Sequence, residues 1–111
     1  MKRQFYSHLV TFEQIRIEMS GLDLTEKEQK ELLEIAGKQL HYVMLNEALS
    51  RIHGEDKKQF LQHLSNEKHE EAWLVLRTHA KDVEKHLLHA AHNLYEELRE
   101  DIRELKRQKP E

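Results

Sequence analysis

GLDLTEKEQKELLEIAGKQL, residues 21–40, is the stretch whose reading decides the fold. Gly21 suits the left-handed conformation that closes one helix, and Thr25 stands where a side-chain cap opens the next. Glu28, three residues on, completes a capping box, in which hydroxyl and carboxylate satisfy amides that a helix start leaves free. Behind that start the apolar residues recur at helical spacing. Leu32, Ala36, Leu40, Val43 and Met44 form one stripe, and Leu45, Ala48, Leu49 and Ile52 carry it around the cylinder. The spacing predicts a long helix from Glu26 to about Ile52, with neighbours on more than one side. Gly37 interrupts it at about 1 kcal/mol relative to alanine.

Upstream, Thr11 and Gln14 repeat the capping spacing, which predicts a first helix from near Phe12 to near Ser20. Ile15, Ile17 and Met19 also alternate with Arg16 and Glu18, the pattern of a short strand. Residues 1–11 carry no period and are expected to be flexible. Downstream, His53-Gly54 ends the long helix, and Glu55 or Asp56 opens a short one carrying Phe60, Leu61 and Leu64. Ser65-Asn66 offers a cap for a further segment, with Ala72, Trp73, Leu76 and one of Leu74 or Val75 inward. A break over 78–81 leaves Asp82 to cap the last helix, which runs to about Arg107 before a frayed tail at 108–111. Its buried row is Val83, Leu87, Ala90, Ala91, Leu94, Leu98, Ile102 and Leu105.

The expected architecture is all-α: a compact bundle of four to five helices in a single domain over 1–111. Two long helices, about 26–52 and 82–107, bracket two short ones, and the short connections favour antiparallel neighbours. Composition agrees. Charged residues make up 35% and hydrophobic ones 38%, with only three Gly and one Pro to break helices.

The run at 21–40, followed by ALSRIHGEDKKQFLQHL and a Glu-rich final helix, resembles a family of small uncharacterised bacterial proteins. Its parts are a leucine-rich helix after an L-x-E-x-E opening, an E-D-x-x-x-F-x-x-L turn and helix, and a long C-terminal helix. Here those parts are Leu24 to Leu40, Glu55-Asp56 to Leu64, and Val83 to Ile102, and the likeness spans residues 21–105. The chain departs from that pattern at Thr78-His79-Ala80, where proline is common. The resemblance implies the helical fold and carries no activity.

Eighteen Lys and Arg oppose 21 Asp and Glu, a formal charge of −3. Nucleic acid is therefore not an expected partner, because binding phosphates needs concentrated positive charge. The basic ends, Lys2-Arg3 and Lys106, Arg107, Lys109, read as solvated termini. No apolar run approaches the roughly 20 residues of a membrane span, and Ser7, His8 and Glu13 spoil a signal-peptide core. A cytoplasmic location is expected. Without cysteine there is no disulfide, thiol nucleophile or thiolate ligand. No G-x-S-x-G elbow, phosphate loop, dinucleotide fingerprint, H-E-x-x-H or paired Glu-x-x-His occurs, which points away from an enzyme.

HLLHAAH, residues 86–92, carries three of the nine histidines. At about 100° per residue, His86, His89 and His92 fall opposite the apolar row of the last helix, in line with Asp82 and Glu96. The favoured reading is a solvated face. The alternative is a metal site for zinc, nickel or copper built from His86, His89, His92, Asp82 and Glu96, since imidazole and carboxylate suit those ions. Protonating all nine histidines would carry the formal charge from −3 to +6. His41, beside Leu40, is expected to take a hydrogen-bonded role at the core edge, and His63 and His69 flank the Ser65-Asn66 break.

The favoured function is a non-catalytic helical interaction or assembly module that needs no cofactor. Its motivation is the breadth of the apolar rows on both long helices. Tyr95, Leu98 and Ile102, at the edge of the last stripe, are the candidate contacts for a protein partner or a second copy. Trp73, flanked by Ala72 and Leu74, reads instead as a core residue.

Overall fold

The capping box forms as the sequence dictates. In the computed structural model, which describes residues 3–108, the Thr25 hydroxyl accepts from the Glu28 amide at 3.1 Å and the Glu28 carboxylate accepts from the Thr25 amide at 3.0 Å. Gly21, at φ 84, makes the left-handed turn before it. Among the described residues five helices occur in order: α1 (Phe12–Glu18), α2 (Glu26–Ser50), α3 (Gly54–Ser65), α4 (His69–His79) and α5 (Val83–Gln108). No strand occurs among the described residues.

Residues 12–18 are helical because Ile15 and Met19, four apart, both reach the core while Ile17 between them faces solvent. A strand would have put all three on one side. Thr11 caps this helix through the Gln14 amide at 3.1 Å.

Three boundaries differ from the sequence reading. α2 stops at Ser50, and Gly54, expected to end it, is the first residue of α3 with φ 56. Ser65 is the last residue of α3 and not a cap for α4, which starts after Lys68 without a side-chain cap. The backbone closes α3 by itself: the Lys68 amide donates to the His63 carbonyl at 2.8 Å and the Glu67 amide to the Leu64 carbonyl at 3.0 Å. This is the Schellman pairing, with Glu67 in the left-handed region at φ 57. Asp82 also has a positive φ, 55, and it opens α5 through its carbonyl, which accepts from the His86 amide at 3.1 Å.

The described part of the segment 1–11, where flexibility is expected, packs against the bundle. Phe5, Tyr6 and Val10 are buried, and Phe5 packs edge-on against Phe60 of α3, ring centres 5.1 Å apart. With Tyr6 against His41 of α2, these rings bridge α2 and α3. The frayed tail expected at 108–111 lies, beyond Gln108, outside the described residues.

α5 runs antiparallel to α2. Lys106 meets Glu28 at 3.5 Å at one end. Further along, the Tyr6 hydroxyl bonds His41 Nδ1 at 3.3 Å and lies near Tyr95 of α5. One cluster of buried residues joins the N-terminal segment to all five helices. The bundle is elongated, 55 × 22 × 17 Å, longer than either of its two long helices at about 38 Å.

Candidate interaction surface

The apolar row of α5 outruns the core that receives it. Leu94 and Leu98 are buried, Ile102 is partly covered, and Leu105, expected in the same buried row, is 63% exposed. The reason is geometric. Lys106 already stands over Glu28 in the first turn of α2, so the last turn of α5 lies level with the start of α2.

The uncovered end forms a groove of about 520 Å³ between the two long helices, walled by Leu24, Leu32, Ile35, Ile102 and Leu105. Ile35, 49% exposed, faces Leu105 across it. Glu28 and Lys106 close one side as an ion pair. The Thr25 amide, then its hydroxyl, then Lys106 hold the Glu28 carboxyl below the usual carboxylate range. Glu31 lines the same groove.

Of the three contacts expected from sequence, only Ile102 lies here. Tyr95 is 4% and Leu98 7% exposed, so both are core residues and neither is free to meet a partner. Tyr95 sits about 80° from the centre of the row, and a wheel places such a residue at the edge. α1 closes over that edge through Arg99, whose guanidinium donates to the Glu18 carboxylate at 2.8 Å. Ile35 was missed because it lies off the buried stripe of α2. Its isolated apolar side chain among Glu31, Glu34 and Lys38 was the available signal.

The histidine face is laid out as the wheel places it, with His89 and His92 exposed and His86 half-buried. His92 Nε2 pairs with Glu96 at 3.0 Å. Asp82 belongs to the turn before the helix and not to its outer face. Among the described residues no group of three or more His, Asp or Glu side chains has an arrangement that would hold a metal ion. His79 pairs with Asp56 of α3 at 3.4 Å, and His41 takes the structural bond to Tyr6 expected of it.

A second, more polar cleft of about 830 Å³ runs beside the ring contact of His8 with Trp73, whose centres are 4.3 Å apart. Arg77, Asp82, Glu84 and Lys85 line it with mixed charge. Trp73 is half-buried and packs on the core. Among the described residues no helix is long and apolar enough to cross a membrane.

Comparison with protein-family models, with curated proteins and with solved structures finds no match.

Proposed function

We propose that this chain is a helical interaction module whose docking surface is the groove between the start of α2 and the end of α5. One observation carries the reading: Leu105, in the core-facing row of α5, is left exposed beside Ile35. An amphipathic helix suits such a groove, because side chains at i, i+3, i+4 and i+7 enter it while the other face stays wet. Tight packing there would bury Ile35, Ile102 and Leu105 together, the kind of clustered apolar contact that dominates interface energies.

The test is site-specific photo-crosslinking in cells that make the protein, with the reactive residue replacing Ile35, Leu105 or, as a control, Lys58 on the exposed side of α3. Discrete adducts at positions 35 and 105, absent at 58, are expected. No adduct at either groove position, or the same adducts at all three, would overturn the reading.

A further inference from the structure

The outer face of α2 carries a short line of exposed residues: Glu31, Ile35, Lys38 and Tyr42, separated by four, three and four. At about 100° per residue they fall within about 60° of one another, on the side opposite the buried row of Leu32, Leu33, Ala36, Leu40, Met44 and Ala48. The spacing is that of a coiled-coil seam, alternating three and four. Ile35 joins this line to the groove beside Leu105, and Tyr42 stands 70% exposed two turns further on. The line is therefore apolar at two positions and charged at two.

The order of those charges identifies the occupant. Ile35 has an acid four residues before it and a base three residues after it. Reversed end to end, that pattern is complementary to itself. If two α2 helices pack antiparallel about a two-fold axis through Ile35, each Glu31 comes opposite the partner's Lys38, offset by one residue or about 1.5 Å along the axis. The contact occurs twice, because a two-fold interface repeats every pairing. A parallel arrangement would set Glu31 against Glu31 and Lys38 against Lys38. Among the described residues neither Glu31 nor Lys38 has an ion-pair partner within its own chain. In the same register Tyr42 falls opposite the partner's Glu28, where Lys106 supplies a cation for the ring face.

We infer that the partner is a second copy of this chain, docked antiparallel along α2 with Ile35 on the two-fold axis and Glu31 facing the partner's Lys38. The inference rests on the reading of the Ile35–Leu105 seam as a docking surface, and it names what fills that surface.

Sedimentation equilibrium on the purified full chain, over a range of concentrations, tests it with four variants. The native chain is expected to dimerise, and Ile35→Asp to be monomeric with unchanged helicity. Glu31→Lys and Lys38→Glu, which turn each attraction into a repulsion, should each weaken the dimer by about tenfold or more. The combined Glu31→Lys, Lys38→Glu chain restores opposite signs across the axis and should recover most of that loss. Because the chain has no cysteine, an Ile35→Cys variant reports the axis directly: mild oxidation should link it to itself as a dimer.

A native chain that stays monomeric throughout overturns the pairing. So does a dimer indifferent to the single charge changes, or a double variant as weak as either single one. A monomer that still gives crosslinked adducts to another protein at positions 35 and 105 would reject self-pairing and leave the module reading standing. Loss of both would reject the two together.

Discussion

Arg99 of α5 donates from one guanidinium nitrogen to both the Glu18 carboxylate, at 2.8 Å, and the Glu18 backbone carbonyl, at 3.1 Å. The second bond satisfies a carbonyl that the end of α1 leaves without an intrahelical donor. The pair is only partly solvated, so it ties a seven-residue helix, too short to persist by itself, to the longest one. Replacing Arg99 with alanine is expected to lower stability by about 1–3 kcal/mol, the usual range for hydrogen bonds to charged groups. Urea unfolding should show the loss as a lower midpoint. Proteolysis should cut α1 before the rest of the bundle. A variant as stable as the native chain would show the contact to be incidental.

Tyr95 and Tyr6 meet near the middle of the bundle in different circumstances. Tyr6 bonds His41, whereas the Tyr95 hydroxyl is buried without a protein partner. An unsatisfied buried hydroxyl opposes folding, so Tyr95→Phe is expected to leave stability unchanged or raise it by about 1 kcal/mol. Tyr6→Phe removes a made bond and should lower it by a similar amount.

The same burial sets a pH dependence. It pushes the Tyr6 hydroxyl up to about 12 and raises that of Tyr95 as well, with the carboxylate of Glu18 adding to the second. An unfolded tyrosine titrates near 10. Above pH of about 10 the unfolded chain therefore loses protons that the folded one keeps, and stability falls as pH rises from about 10 towards 12. Below about 10 this contribution is fully present. Unfolding midpoints between pH 8 and 11.5 should fall less steeply in the double Phe variant than in the native chain, and equal slopes would refute the assignment.

What the sequence made legible follows from how local each signal is. The Thr25–Glu28 box lies within four residues, so the start of α2 could be read without knowing its neighbours. The α5 row repeats over six turns and fixed that helix and its inward face. Phe5 and Tyr6 carry no period, and their burial depends on Phe60 and His41, distant in sequence. Leu98 and Leu105 share one stripe, and only the position of Glu28 under Lys106 separates the buried residue from the bare one. Of the candidate contacts Tyr95, Leu98 and Ile102, the fold accordingly buries the first two and leaves Ile102 lining the groove. Ser65-Asn66 has good cap chemistry, but the backbone closed α3 first through Glu67.

Glu67 provides a prediction on backbone strain. A side chain with a Cβ in the left-handed region costs about 1–2 kcal/mol, a penalty that glycine escapes. Glycine also adds freedom to the unfolded chain, which returns part of that gain. Glu67→Gly is accordingly expected to be more stable than Glu67→Ala, which also lacks the carboxylate, by about 0.5–1 kcal/mol, and Glu67→Val to be less stable than Glu67→Ala, because β-branching tolerates this region least. Thermal unfolding measures both. The order reversed would mean that the Schellman closure at Lys68 does not form in solution.

Leu98 and Leu105 separate core from surface on one helix. Leu98→Ala removes buried methyl groups and leaves a cavity, and it should cost about 2–5 kcal/mol at any protein concentration. Leu105→Ala touches a residue that the chain itself leaves bare, and at dilutions where a single copy prevails its effect should stay within about 0.5 kcal/mol. At higher concentration the two should diverge further in kind. If a second copy covers the seam, native stability rises with concentration, because a partner that binds only the folded form shifts the unfolding equilibrium by mass action. Leu105→Ala should blunt that rise, whereas Leu98→Ala should shift the whole curve down. Denaturation midpoints at two concentrations a hundredfold apart make the distinction. A large loss for Leu105→Ala at high dilution would place that side chain in the core, and with it remove the groove.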